Sequence, residues 1–375
     1  MEKIMYLVSA VLLLYSCGKI EDPYVYDDGD AASIDWDAVA SQSTDALIDQ
    51  FWNAEGYFNY GSAQSDVGFQ YWPNAHAMDV VIDAYQRTGD TKYEAYFEQW
   101  YEGVKRENNN SYYNDFYDDM QWNGLTILRL YQETGEERYL NTVKELWLDI
   151  EGGWNDDYAN GGIAWHKSMP YSKNACSNGP ASLLALRLYH ETDDERYLEW
   201  ATRIYEWQKN TLYERATGAV FDNIDGRSQA ISTVALTYNQ GLFMAAAVGL
   251  FKLTGDGVYL NDAQKIANYT ITKCIDASNN ILRNEGMGDN ALFKGIFMRY
   301  FEELLHVSEL NEAYRQKFIS FLNNNARVLW TSGTFETTLL YGPVWNEPPI
   351  GDTQLTAQAS ACMALEAKAR FDQTN

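Results

Sequence analysis

A nine-residue pattern recurs along the chain and restricts it to a repeated helical architecture. Tyr85-Gln-Arg-Thr-Gly-Asp90-Thr-Lys-Tyr93 returns as Tyr131-Gln-Glu-Thr-Gly-Glu136-Glu-Arg-Tyr139, as Tyr189-His-Glu-Thr-Asp-Asp194-Glu-Arg-Tyr197 and as Phe251-Lys-Leu-Thr-Gly-Asp256-Gly-Val-Tyr259. The threonines stand at 88, 134, 192 and 254, giving spacings of 46, 58 and 62 residues. A looser fifth copy runs from His306 to Tyr314. Each copy has the chemistry of a tight helix–helix turn. Glycine supplies the left-handed residue that ends one helix, and the acid beside it starts the next. Periods this long indicate stacked helical hairpins rather than strands.

Amphipathic stretches fall near 34–53, 73–87, 91–107, 117–132, 136–150, 175–190, 194–210, 233–252, 256–275, 290–306, 310–330 and 354–371. They make six pairs. The Thr-Gly-Asp turns are short, whereas connections such as 151–174, 211–232 and 331–353 are long. Short turns at one end and long loops at the other describe an all-α (α/α)6 barrel of six helical hairpins, expected to occupy 33–375 as one catalytic domain. More apolar helices, such as Ala181–Leu188 and Leu242–Leu250, should form the inner ring. Long loops in a compact domain usually carry function, and here they gather at the N-terminal ends of the inner helices.

Charge narrows the partners. Lys+Arg number 28 and Asp+Glu 53, a formal charge of −25. Such a chain lacks the basic face that nucleic acid requires and is not drawn to an anionic membrane surface. At the N-terminus, the apolar run Ile4–Tyr15 is too short to span a bilayer but suits a signal-peptide core. Its ending, Leu14-Tyr-Ser-Cys17-Gly, resembles a bacterial lipobox. That implies a leader over 1–16, a lipid on Cys17, a tether over 17–32, and attachment to the cell envelope, with the cell surface as one option. An ordinary signal peptide cut nearby is the other reading. Cys176, Cys274 and Cys362 lack paired spacing, which supports neither a disulfide framework nor zinc; they read as small buried hydrophobes. No metal and no cofactor is expected, and a monomer is.

The expected rim is rich in rings: Trp154, Trp165, His166, Tyr171, Tyr213, Phe221, Tyr341 and Trp345 are interleaved with Asp, Asn and Gly. Sugar rings present apolar faces to aromatics and hydroxyls to carboxylates and amides, so an acidic aromatic rim suits a neutral carbohydrate. The competing role for each ring is packing a loop onto the barrel.

The sharpest constellation is Phe116-Tyr-Asp118-Asp119-Met-Gln-Trp122-Asn123-Gly124, where a loop enters the second inner helix. Glycoside hydrolysis needs one carboxylic acid to protonate the leaving oxygen and a second carboxylate as nucleophile or base. Two close carboxylates resist ionising together, so one pKa rises. Within a helix adjacent residues diverge by about 100°; a non-helical first Asp would let the two converge. The competing reading is an ordinary helix cap. Three other Asp-Asp pairs occur, at 27–28, 156–157 and 193–194, and the last sits in a repeat turn.

The Tyr-Asp-Asp-Met-x-Trp-x-Gly-Leu stretch resembles the active-site motif of glycoside hydrolase family 76, the endo-α-1,6-mannanases. Gly161-Gly-Ile-Ala-Trp165, Lys173-Asn-Ala-Cys-Ser-Asn178-Gly179 and Thr237-Tyr238-Asn239-Gln240-Gly241 are similar to further segments of that family. The resemblance runs from about Tyr71 to Arg299 and implies an (α/α)6 barrel and a retaining mechanism. Asp118 would be the nucleophile and Asp119 the acid/base, acting on α-1,6-mannan or manno-oligosaccharides. Fungal members carry Asn-Asp-Asp-Gln; Tyr117 and Met120 depart from that, which weakens inference to cell-wall transglycosylation. Lys173, Asn174, Asn178, Tyr238, Asn239 and Gln240 could bond sugar hydroxyls or fix loops. Trp72, Trp122 and Trp165 are candidates for stacking. Lys294 could reach the cleft but reads rather as a solvated or capping lysine, and His76 reads as a structural residue rather than a catalyst. Two alternatives stand beside the mannanase: a non-catalytic glycan-binding surface lipoprotein, and another (α/α)6 carbohydrate enzyme such as an unsaturated glucuronyl hydrolase. The latter needs a basic subsite that this sequence does not advertise.

Overall fold

The computed structural model of the chain describes residues 34–63 and 66–374. The expected leader, tether and lipidated Cys17 lie outside the described residues. The helices are α1 (Trp36–Phe51), α2 (Tyr71–Thr88), α3 (Thr91–Glu94), α4 (Phe97–Glu107), α5 (Tyr117–Thr134), α6 (Glu137–Glu151), α7 (Ala175–Thr192), α8 (Glu195–Thr211), α9 (Thr237–Thr254), α10 (Gly257–Lys273), α11 (Phe293–Leu305), α12 (Glu312–Ser332) and α13 (Leu355–Thr374). The stretch read as one helix over 91–107 is broken into α3 and α4 at Ala95-Tyr96.

Helices α2, α5, α7, α9, α11 and α13 form a closed inner ring, each packed on the next and α13 returning to α2. The outer helices α4, α6, α8, α10 and α12 run back along the inner helix before them. The sixth pair is made by the domain's ends, α1 on α13. The inner helices are buried nearly all round, as a central ring must be. At two of their closest approaches the residue is glycine. A Cβ on Gly241 would lie 2.8 Å from the Phe297 Cα, and one on Gly295 only 2.4 Å from the Ser360 Cα.

The repeat is a structural device at the end opposite the long loops. Gly89, Gly135 and Gly255 adopt φ of 67°, 68° and 69° and return their N–H groups to Tyr85, Tyr131 and Phe251. Asp90, Asp194 and Asp256 cap α3, α8 and α10 through side-chain bonds of 2.9–3.0 Å. The threonine has a role too: each hydroxyl donates to the carbonyl four residues back and accepts the N–H two residues on, as at Thr88 (2.7 and 3.1 Å). In the third copy Asp193 takes the left-handed position, at φ 53°. A side chain there carries a steric cost that glycine avoids. Asp193→Gly should therefore raise stability by about 0.5–1 kcal/mol, read as a higher midpoint in urea with an unchanged slope.

Strands appear only in the loops. Two-stranded hairpins follow α1, α8, α10 and α12. A four-stranded antiparallel sheet, in the order 164–166, 169–174, 223–225 and 230–232, packs its first two strands on α5 and α7. Among the described residues no helix is long and apolar enough to cross a membrane.

Candidate active site

A cavity of about 390 Å³ opens at the N-terminal ends of the inner helices. Its lining includes Trp72 of α2, Asp118, Asp119 and Trp122 of α5, Cys176 of α7, Tyr238 of α9 and Phe293 of α11. Loops add Phe116, Trp165, Asn174, Asp222, Leu236, Asp289 and Asn290.

The acid pair occupies the first turn of α5, with Tyr117 the first helical residue, so both aspartates are helical. The expectation that the first would be non-helical is corrected. Neither is the cap: that position is Phe116, and it makes no side-chain capping bond. These carboxylates thus differ from the exposed aspartates of the repeat turns. Asp118 is buried, with the Trp165 indole donating to Oδ2 at 3.2 Å and Cys176 lining the same cavity. Its Oδ1 makes no well-formed hydrogen bond among the described residues. Burial pushes its pKa up to about 6, partly offset by donors from Cys176, the local backbone and Trp165. Asp119 lacks those donors. Burial, then the charges of Asp118 and Asp289, raise its pKa well above the usual carboxylate range. Both carboxyls are therefore harder to ionise than a free aspartate, and the donors around Asp118 favour its anion over that of Asp119.

Aromatic rings surround the pair. Trp72 and Trp122 lie 6.3 Å apart between centroids, and Trp165 meets Phe116 at 4.9 Å. Tyr238 stacks on Phe293 at 3.9 Å with planes 8° apart. His76 lies beneath Trp122, centroids 4.6 Å apart, and burial lowers its pKa to about 3, so it is neutral.

Four residues expected as candidates for sugar contact, Lys173, Asn178, Asn239 and Gln240, do not line the cavity. Asn178 accepts the Ile163 N–H at 2.8 Å and donates to the Ile163 carbonyl at 3.0 Å. Gln240 brackets Val220 in the same way, at 3.0 and 2.6 Å. Lys173 is fully buried, its ammonium on the Gly162 carbonyl at 2.6 Å. These side chains are loop clamps. The device recurs at the fourth residue of other inner helices, where Asn74 brackets Phe58 and Gln358 accepts the Tyr341 N–H and donates to the Leu339 carbonyl. A primary amide mimics a backbone edge, and its repetition at one helical position was the signal available in the sequence. Asn239 stands one layer back, donating to Asp222 at 3.1 Å. Asn174 lines the cavity.

Lys294 is buried rather than solvated, donating to the Pro343 carbonyl at 2.7 Å over the Trp345 ring. Tyr213, Tyr341 and Trp345 are buried as well and pack loops. Cys176 is buried, but it is more than a core hydrophobe because it lines the cavity with Asp118. Asp222 and Asp289, from loops with no motif of their own, were not anticipated. Among the described residues no group of three or more His, Cys, Asp or Glu is arranged to hold a metal ion.

Comparison with known proteins agrees with this geometry. The chain is similar to an α-1,6-mannanase of Salegentibacter sp. HEL1_6, solved as an inactive variant with two adjacent aspartates replaced by alanine and bound to α-1,6-mannotetrose. Identity is 39%, coverage 90% of this chain and 100% of that one, and the TM-score 0.87. It is also similar to the Lin0763 protein of Listeria innocua, at 33% identity, 91% and 99% coverage and a TM-score of 0.83. A mannan endo-1,6-α-mannosidase of Candida glabrata is 28% identical over 235 residues, 56% of this chain and 50% of that protein. The chain spans about half the length of the curated relatives it matches. The model of glycosyl hydrolase family 76 matches residues 35–374, the whole barrel from the start of α1 to the end of α13, and the chain belongs to that family.

Proposed function

We propose that the protein is a retaining endo-α-1,6-mannanase that cleaves the backbone of microbial mannan. The observation that carries this reading is the unequal pair at the cavity floor: Asp118 is buried and takes a hydrogen bond from Trp165, while Asp119 beside it is half-buried among the same aromatic rings. In the first step Asp118 attacks the anomeric carbon through an oxygen while Asp119 gives its proton to the leaving glycosidic oxygen. A covalent mannosyl–enzyme ester results. In the second step Asp119, now ionised, takes a proton from water, which attacks the same carbon and releases Asp118. Adjacent carboxylates that repel each other support retention, because inversion requires a wider gap with room for water between them. Trp165 would hold the nucleophile while its ring and those of Trp72, Trp122 and Phe116 bound the sugar path. Asn174, Tyr238 and Asn239, directly or through Asp222, would present polar groups to it.

The named activities of the Salegentibacter and Candida glabrata proteins support the substrate, and the N-terminal sequence supports attachment to the cell envelope through Cys17. Digestion of linear α-1,6-mannan tests the whole reading. Early products should be oligosaccharides of mixed length, and proton NMR should show the α-anomer forming first. Mannose as the sole early product would exclude endo action, and a β-anomer first would exclude retention. Binding without cleavage would favour a glycan-binding role instead.

A further inference from the structure

We propose that Asp289 is a positioning residue for the acid: its carboxylate shares the cavity with Asp119, on which its charge acts, and it fixes the Trp72 indole at the cavity wall. The inference rests on the mannanase reading and deepens it. Asp289 sits in a one-turn 3-10 segment, Gly288–Leu292, between α10 and α11. That turn is anchored at its start, where the Gly288 N–H donates to Gln354 Oε1 at 2.9 Å. From there Asp289 Oδ1 accepts the Trp72 Nε1–H at 3.1 Å, bridging the turn to α2 across the mouth of the cavity. Asp119 lines the same cavity from α5.

Burial and Asp118 act on Asp119 first, and Asp289 adds to them. On its own helix stands Asp118. From α2 come Tyr71, whose hydroxyl donates to the Tyr112 carbonyl at 2.6 Å, and the neutral His76. Across the cavity are Cys176, Asp222 and Tyr238, and no lysine or arginine is among the lining residues. The nearby cations are engaged elsewhere: Lys173 on Gly162, Lys294 on Pro343, and Arg283 on the Ala235 carbonyl. With no cation to neutralise it, a third carboxylate acts on Asp119 by like-charge repulsion, which favours the protonated form. The repulsion from Asp118 alone is lost once that residue is consumed as an ester. Asp289 persists through both steps, so in the second it makes Asp119 a stronger base for water.

The test compares wild type, Asp289→Asn, Asp289→Glu and Trp72→Phe by their pH profiles on a linear α-1,6-manno-oligosaccharide. In low salt, Asp289→Asn should move the alkaline limb of kcat/KM down by roughly half a unit to one unit. Asp289→Glu should restore most of it. Trp72→Phe, which removes the hydrogen bond but not the charge, should raise KM and leave the limb in place. High salt should move the wild-type limb towards that of Asp289→Asn and barely affect the variant. Asp289 is exposed, and unchanged thermal melts would exclude a folding defect. An alkaline limb shared by wild type and Asp289→Asn in low salt would overturn the proposal. Infrared titration of the protonated-carboxyl band, with and without Asp289→Asn in an Asp118→Asn background, reads the same shift without turnover. If the enzyme cleaves no mannan but that band shifts, the substrate reading has failed and the Asp289 assignment stands. If mannan is cleaved and neither readout moves, the reverse holds.

Discussion

Asparagine at Asp118 or at Asp119 should each lower kcat/KM on α-1,6-mannan by roughly 10³-fold or more, the range for loss of a nucleophile or a general acid. The double variant should be little worse than the singles, since the two groups act as one unit. Leaving-group chemistry separates the roles. An aryl mannoside whose leaving group needs no proton should restore the first step in Asp119→Asn but not in Asp118→Asn. Stability should move the other way. A carboxyl whose folded pKa is raised binds its proton more tightly when folded, so it costs stability as pH climbs above the unfolded value, about 3.9. For Asp118, raised to about 6, that penalty builds up between roughly pH 4 and 6 and is complete above. Both variants should thus melt a few degrees above wild type at neutral pH and converge with it in acid. A melt that falls at neutral pH would mean that the pair is structural.

What could be read from the sequence divides along a physical line. The repeat turns were legible because a left-handed glycine and an aspartate cap are local demands, met within a few residues: Gly89 and Asp90 do what their types require. The ring followed, since equal turns at one end leave the long loops at the other. The acid pair stood out through its motif, although spacing alone could not separate it from the caps at Asp194 and Asp256. The amides were harder. Asn178 and Gln240 carry groups that would suit a sugar hydroxyl, but those groups are satisfied by Ile163 and Val220, which only the folded loop brings within reach. Asp222 and Asp289 escaped for the same reason in reverse. Their neighbours Asn239 and Trp72 are distant in sequence, and nothing around either acid marks it. Cys176 was read by its type alone, whereas the fold places it in the cavity wall with Asp118.

The largest expected loss of stability lies at the opposite end of the barrel, at Asp83. This side chain of α2 is 1% exposed and faces three arginines from three other inner helices: Arg129 of α5 at 2.6 Å, Arg299 of α11 at 2.8 Å, and Arg370 of α13. Asp79, one turn earlier, shares Arg129 at 2.8 Å and Arg299 at 3.6 Å, while Glu302 takes Arg370 at 3.3 Å. Burial alone would raise the Asp83 pKa, but Arg299, Arg370 and Arg129 more than reverse that and hold it well below the usual carboxylate range. Asp83→Asn keeps the shape and removes the charge, leaving three guanidiniums under-compensated in a buried site. Breaking such a pair costs about 3–5 kcal/mol, a large part of the 5–15 kcal/mol typical of a folded domain. The pH dependence follows from the depressed pKa. The stabilisation is present above the unfolded value, about 3.9, and is lost only as pH falls towards the lower folded value. The gap between wild type and Asp83→Asn in urea titrations should be level from pH 8 to 5 and close only in strong acid. Adding Arg370→Met to Asp83→Asn should recover part of the loss, because the unpaired charge leaves with its partner. A gap below 1 kcal/mol at pH 7 would mean that water or neighbouring acids already neutralise the arginines, and that the ring is held by its apolar contacts alone.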